Sequence, residues 1–176
     1  METGQLLGLD VGTSGLKAVV FDAKGHTLGY SYKEYPIINE EPLQAEQDAE
    51  LVYALLLQAM GEAVRQSGVC RIHALSLSVQ GDAMIPVDER FRPMHKALLG
   101  MDYRAEKVCS QYKNQYDAWQ LYEITGQPLH PMNMMAKIMW LKDRRKEVFE
   151  KAYRFVTYAD FLVKRLGGRG KIDATM

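Results

Sequence analysis

The clearest pattern of apolar and polar positions lies near the start of the chain and predicts two strands joined by a tight turn. Residues 6–9 are mainly leucine and lead to Asp10, residues 12–15 have the sequence Gly-Thr-Ser-Gly, and residues 16–21 are again mainly apolar. No helical period follows the turn. The P-loop and the dinucleotide-binding motif both need their glycines to open a helix, so the pattern argues against both.

The following apolar pattern predicts an α/β fold. A third strand is expected over residues 26–35, and a helix over residues 48–67 that ends at Gly68. A further strand is expected over residues 71–79, where leucine and valine alternate with serine. Three strands joined by short turns, a crossover helix and another strand predict a mixed sheet flanked by helices.

The second half of the chain predicts mainly helices. Asp117 is a candidate N-cap, and Gly126 and Gly167 are candidate helix stops. We expect an edge strand over residues 83–87, a brief strand at residues 155–156, and helices over residues 103–115, 117–125, 134–145 and 158–166.

Composition excludes several classes of protein. The 176 residues are 47% hydrophobic and 25% charged with a net charge of zero, as in ordinary globular proteins, which gives no electrostatic case for nucleic acid or a membrane surface. No apolar run approaches the ~20 residues of a membrane span. Cys70 and Cys109 are expected to be reduced thiols, and with no signal peptide evident we expect a cytoplasmic protein. The last ten residues resemble a loop, so we expect the chain to be part of a longer polypeptide.

The predicted turn could hold an anion. Gly12 and Gly15 have no Cβ, so the backbone could adopt positive φ and approach a ligand closely. The hydroxyl groups of Thr13 and Ser14 could donate to the same oxygens. The alternative is an ordinary hairpin in which these residues serve only the turn.

Two charged residues flank the turn. Asp10 ends the first strand and could hold Mg²⁺, with waters retained between the carboxylate and the ion. Lys17 adds a cation that could face the same anion.

Polar residues also follow the strand predicted over residues 71–79. Gln80, Gly81 and Asp82 come directly after what we expect to be a buried strand, where an amide and a carboxylate could bind a hydroxyl-rich ligand. The alternative is that Gly81 turns the chain and Asp82 is solvated. Further on, Asp102 and Arg104 could hydrogen-bond a polyol or pair with each other.

The predicted hairpin resembles the first phosphate-binding hairpin of the actin, hexokinase and Hsp70 ATPase superfamily, and within it the opening of the FGGY carbohydrate kinases most closely. This resemblance implies that Gly12, Thr13 and Ser14 face the phosphates of ATP, with Lys17 alongside and Asp10 near the metal.

Three later segments resemble the same family. Residues 76–88 are similar to the segment that supplies part of the sugar site, but Gly81-Asp82 stand where xylulokinases have Met-His, and the Arg-Glu of glycerol kinases is missing. Residues 98–108 resemble a Trp-x-Asp-x-Arg stretch with Gly100 in place of the Trp. Residues 137–140 match a Lys-x-x-Trp signature.

The resemblance runs from residue 6 to about residue 173 and implies that residues 1–176 form the N-terminal part of domain I of an FGGY kinase. That part belongs to the first of two ribonuclease H-like lobes, the fold of actin and hexokinase. The implied full enzyme transfers the γ-phosphoryl group of MgATP to a hydroxyl of a ketose, polyol or sugar acid.

The resemblance places the catalytic base beyond residue 176, because Asp10, Asp82, Asp160 and Asp173 do not match it. We therefore expect the chain alone to be inactive. The expected partner is a small-molecule sugar, with neither nucleic acid nor membrane, and a homodimer stays open. Two alternatives remain: a non-catalytic module that binds sugar or a partner, and a lobe of another actin-like ATPase such as a chaperone.

Overall fold

The computed structural model describes residues 4–113 and 115–169. These fall into two compact units. The first contains the described residues up to Pro36 together with Glu50–Gln80, and the second contains Ile37–Ala49 and the described residues from Gly81 onward. Asp173 lies outside the described residues.

The strands and helices follow the predicted order, with three additions. The strands are β1 (Leu6–Val11), β2 (Gly15–Phe21), β3 (Thr27–Glu34), β4 (Glu46–Gln47), β5 (Ala74–Val79), β6 (Ile85–Val87), β7 (Ala97–Leu98) and β8 (Arg154–Val156). The helices are α1 (Ala49–Ser67), α2 (Glu106–Lys113), α3 (Ala118–Thr125), α4 (Met134–Arg144), α5 (Lys146–Lys151) and α6 (Tyr158–Arg165). The sequence pattern did not predict β4, β7 and α5.

The first unit is built on a four-stranded sheet in the order β3-β2-β1-β5. β1 pairs antiparallel with β2 and parallel with β5, so the sheet is mixed as predicted. Alternate residues of β1 and β2 are buried and form a core with the apolar face of α1: Leu7, Leu9, Val11, Leu16, Ala18, Val20, Val52, Leu56, Ala59 and Ala63.

Polar contacts fasten α1 to β3 on the same side. The Glu62 carboxylate of α1 accepts from the Ser31 hydroxyl at 2.7 Å and from Lys33 Nζ at 2.8 Å. A Cβ on Gly29 would lie 2.1 Å from the Ala63 carbonyl oxygen, so only glycine permits this close approach of helix and strand.

β5 differs from the prediction of a buried strand. It lies at an edge of the sheet, and the Leu75 side chain is 44% exposed although Leu75 pairs with the buried Leu7. The prediction was wrong because alternation of apolar residues reports one buried face and says nothing about how many neighbours a strand has.

The second unit contains two short antiparallel sheets and five helices within its described residues. β4 pairs with β7, and β6 pairs with β8. The main apolar cluster draws on the loops as well as on α2 and α4: Met84, Leu98, Ala105, Val108, Cys109, Leu129, Ala136, Trp140 and Leu141.

The predicted caps of α3 and α6 are confirmed. The Asp117 carboxylate accepts from the backbone N–H groups of Trp119 and Gln120, and Gly126 adopts φ of +70° after the last turn of α3. Gly167, with φ of +92°, follows α6 in the same way. None of the helices in the described part of the chain is both long enough and apolar enough to cross a membrane.

Candidate functional site

The turn between β1 and β2 is closed by its own backbone and fixed by one tyrosine. The Gly12 N–H donates to the Gly15 carbonyl at 3.0 Å. The Tyr35 hydroxyl donates to the Gly12 carbonyl at 2.6 Å, and the Tyr35 N–H donates to the Ser14 carbonyl at 3.3 Å. The Gly12 N–H is therefore used inside the turn and is not available to a ligand. Because Gly12 has no side chain, it leaves space for a ligand to approach the backbone.

Neither glycine of the turn adopts positive φ, so that part of the prediction was wrong. Gly15 is instead required by a neighbouring strand, because a Cβ on it would lie 2.7 Å from the Tyr32 hydroxyl oxygen and 2.8 Å from the Lys33 carbonyl oxygen. A Cβ on Gly12 would lie 3.3 Å from the Gly15 carbonyl oxygen. The two glycines allow the strands to approach each other closely where the turn is made.

Tyr35 is a site residue that the sequence did not single out. Its side chain is buried, and burial together with the negative charge of Asp10 raises the pKa of its hydroxyl. The hydroxyl therefore keeps its proton and remains a donor to Gly12. A tyrosine that ends a strand is common, and its contact with a turn 23 residues earlier had no local signal.

Asp10 and Lys17 face each other across β1 and β2. Lys17 Nζ lies 4.0 Å from Asp10 Oδ2, and the two side chains are 52% and 57% exposed. They line an open depression of about 320 Å³ together with Ser76 and Ser78 of β5. An exposed pair of this kind interacts weakly, by roughly 0–1 kcal/mol, so both charges can be redirected to a ligand at little cost.

The donor set near the turn fits a metal held largely by water and a substrate. Asp10 is a single accessible carboxylate, which suits Mg²⁺ because this ion keeps several waters and binds through one or two carboxylates and substrate phosphates. The described residues contain no group of three or more His, Cys, Asp or Glu side chains that could hold a metal by itself.

Gln80 leaves the sheet beside the turn. Its N–H donates to the Val11 carbonyl at 2.8 Å, which continues the pairing of β1 and β5 by one residue. Because β1 and β5 are parallel, Asp10 and Gln80 lie at the same edge of the sheet, as predicted.

Asp82 lies in the second unit on the wall of a cavity of about 340 Å³. It adopts φ of +55°, a conformation that only a few non-glycine residues tolerate. A Cβ on Gly100 would lie 3.6 Å from Asp82 Cβ, so a larger residue at this position would fill the space beside Asp82. The other walls of the cavity come mainly from α3, α4 and the loop between them: Leu121, Thr125, Gln127, Pro128, Leu129, Asn133, Met134, Met135, Ile138 and Met139.

Asp102 and Arg104 pair with each other in the interior of the second unit. The Asp102 side chain is 1% exposed, and its Oδ2 accepts from Arg104 Nη2 at 2.7 Å and from the Ala45 N–H at 3.0 Å. Arg104 also pairs with Glu46, and its guanidinium lies 4.3 Å above the Trp140 ring. The pairing alternative thus accounts for both side chains, and their contact with a sugar stays a prediction.

Lys137 is a buried cation that the sequence assigned only to a motif. Its Nζ donates to the carbonyls of Asp82 and Met132. Burial lowers the pKa of Lys137 to about 8, against the opposing effect of the Asp82 and Asp102 carboxylates.

The chain matches the sequence profile of the N-terminal domain of the FGGY family of carbohydrate kinases over residues 5–176. It is 28% identical to a gluconokinase from Bacillus subtilis (strain 168) over 174 residues, which is 99% of this chain and 34% of the relative. The chain therefore spans about a third of the length of such curated relatives.

Two solved structures show the same fold. A gluconate kinase from Lactobacillus acidophilus superimposes with a TM-score of 0.86 and 29% identity, over 93% of this chain and 33% of that one. A ligand-bound xylulose kinase from the same organism superimposes with a TM-score of 0.84 and 30% identity, over 92% of this chain and 33% of that one. The predicted fold, a partial N-terminal lobe of the ribonuclease H-like, actin/hexokinase type, is confirmed.

Proposed function

Because the chain belongs to the FGGY family of carbohydrate kinases, we propose that it forms part of the first lobe of an enzyme that phosphorylates a sugar with MgATP. The acceptor would be a hydroxyl of a ketose, polyol or sugar acid. The observation that carries the proposal is the hydrogen bond from Gln80 to Val11, which sets the first residue of the candidate sugar segment one residue from the candidate phosphate turn.

In this proposal the turn and its two flanking charges bind the end of the nucleotide. The hydroxyl groups of Thr13 and Ser14 donate to phosphate oxygens, and the bare backbone of Gly12 lets them approach. Lys17 turns from Asp10 toward the phosphates. This costs little because the contact between Lys17 and Asp10 is long and exposed. Asp10 holds Mg²⁺ through water, and the ion neutralises charge on the transferred group.

Gln80, Gly81 and Asp82 bind the acceptor. The amide of Gln80 and the carboxylate of Asp82 can each satisfy two hydroxyl groups, and Gly81 leaves space because nothing lies within 4 Å of where its Cβ would be. Asp102 and Arg104 act on the acceptor indirectly, because both are committed to a buried ionic cluster.

The base that accepts the proton of the sugar hydroxyl lies outside these 176 residues. Asp10 is assigned to the metal, Asp82 to acceptor binding, and Asp102 is enclosed by its partners. We therefore expect the chain alone to bind ligands weakly and to transfer no phosphoryl group.

Release of ADP tests this directly. The chain is incubated with MgATP and with gluconate, xylulose or glycerol in turn, and we expect no sugar-dependent ADP above background. The longer polypeptide that includes this sequence should release ADP with one of these sugars, and substitution of both Thr13 and Ser14 by Ala should remove that release. Sugar-dependent ADP release by the 176 residues alone would contradict the assignment of the base.

A second candidate function is a non-catalytic sugar-binding module, favoured because the cavity beside Asp82 is formed entirely within the second unit. This alternative predicts that a sugar raises the melting temperature of the chain strongly without nucleotide. The kinase proposal predicts a small effect of sugar alone. We also propose that the protein is cytoplasmic and can form a homodimer.

A further inference from the structure

Lys137 is the most completely buried cation that borders the candidate acceptor site in the described residues. Its side chain is 0% exposed, and it lies in the first turn of α4. An ammonium group without partners in such a place would cost several kcal/mol, so its hydrogen bonds determine whether the charge is tolerated.

The two acceptors of Lys137 belong to segments far apart in sequence. One is the carbonyl of Asp82, 55 residues earlier, and the other is the carbonyl of Met132, which precedes the cavity residues Asn133 and Met134. A single ammonium group therefore joins the Asp82 turn to the segment that leads into the cavity residues Asn133 and Met134. A lysine suits this task because its three donors sit on one compact atom.

Asp82 needs such support more than an ordinary loop residue does. Its positive φ costs on the order of 1 kcal/mol and persists only where the surroundings enforce it. The hydrogen bond from Lys137 fixes the carbonyl of that same residue, and Asp82 lines the cavity. The backbone contact thus restrains the turn that carries the Asp82 side chain.

We propose that Lys137 is a positioning residue for the acceptor site: it holds the Asp82 turn against the Met132 segment and so presents the Asp82 carboxylate to the sugar. The identity of the ligand rests on the proposed function, whereas the contact between Lys137, Asp82 and Met132 does not.

The test compares four forms of the 176-residue chain: wild type, Lys137→Met, Lys137→Arg and Lys142→Met. Methionine matches the lysine side chain as far as Cε and removes its donors. Arginine keeps the charge. Lys142, exposed on the same helix, is the matched control. Two signals are followed by ¹³C NMR, the carboxylate of Asp82 and the methyl group of Met132, without ligand and during titration with gluconate, xylulose and glycerol.

We expect Lys137→Met to move both signals and to weaken binding of the accepted sugar about tenfold, which corresponds to roughly 1.4 kcal/mol. Lys137→Arg should restore part of that affinity, which a loss of packing alone would not explain, and Lys142→Met should match wild type. Unchanged affinity in Lys137→Met would overturn the proposal.

The proposed function and the role of Lys137 can fail separately. If the longer polypeptide releases no ADP with any of the three sugars, the proposed function fails, and the two NMR signals of the 176-residue chain still decide the inference: both move in Lys137→Met if it is right and neither moves if it is wrong. If Lys137→Met does not fold, wild type is titrated from pH 7 to 11, which spans both the lowered pKa of Lys137 and the ordinary lysine value of 10.5. Loss of the proton from Lys137, next to Asp82 and Asp102, should then shift the Met132 methyl signal, and a constant signal over the whole range would refute the contact.

Discussion

The two candidate binding regions use charge in opposite ways. At the β1–β2 turn, Asp10 and Lys17 are about half exposed and 4.0 Å apart. In the second unit, Arg104 and Asp102 are nearly inaccessible and fully engaged. Exposed charges cost little to redirect toward a ligand, whereas buried ones are part of the structure that surrounds it. The first region can bind with its charges, and the second holds its shape with them.

The largest expected effect separates the two kinds of pair. Arg104→Met leaves the Asp102 and Glu46 carboxylates buried without their partner, and we expect it to lower the free energy of unfolding by about 3–5 kcal/mol. Lys17→Met breaks the exposed pair and should cost less than about 1 kcal/mol. Urea unfolding followed by circular dichroism measures both, and equal losses would remove the distinction.

The buried charge of Lys137 should make the stability of the second unit depend on pH. Its pKa is lowered to about 8 from the ordinary 10.5, so the unfolded chain binds more protons between these values. The free energy of unfolding of wild type should therefore rise relative to Lys137→Met as the pH increases from 8 to 10.5, by up to about 3 kcal/mol. Unfolding of both proteins at several pH values checks this, and a difference that stays flat or falls would show that burial does not lower the pKa of Lys137.

Two glycines sharpen the comparison further. Gly15→Ala places a Cβ against the Tyr32 hydroxyl and the Lys33 carbonyl, and we expect a loss of about 1–3 kcal/mol. Gly81→Ala places it in open space and should change stability by less than about 0.5 kcal/mol. Thermal unfolding of the two variants tests both expectations. If Gly15→Ala does not lower the stability, β3 does not pack closely against the turn.

A smaller effect than that of Gly15→Ala is expected at the tyrosine behind the turn. Tyr35→Phe removes the donor to the Gly12 carbonyl and should cost about 1 kcal/mol of stability. It should also weaken binding of MgATP, because the turn loses the contact that fixes it. Tyr30→Phe, which alters an exposed tyrosine of β3, the strand that Tyr35 follows, is the control. If both variants behave alike, Tyr35 does not fix the turn.

Local signals in the sequence were sufficient for much of the fold. The β1–β2 hairpin and the ends of α3 were predicted because each depends on residues only a few positions apart, such as Asp117 and Gly126 around α3. The edge position of β5 was missed because it depends on which strands lie beside it, which Leu75 and its neighbours do not encode.

The candidate site shows the same limit. Gly12, Thr13 and Ser14 were identifiable because turn chemistry is written in adjacent residues. Tyr35 and Lys137 were not, because their roles depend on partners 23 and 55 residues away. The pairing of Asp102 with Arg104 was weighed as an alternative, but its third member, Glu46, lies 58 residues from Arg104 and became visible only in the structure.

The edge position of β5 has a practical consequence for work with this chain. Among the described residues β5 pairs with a strand on one side only, and it carries an exposed leucine, so another copy can add a strand to it and concentrated samples should oligomerise slowly. Leu75→Lys would place a solvated charge on this edge strand and so oppose pairing with another copy. The resulting chain should stay monodisperse through the long titrations that ligand screening requires.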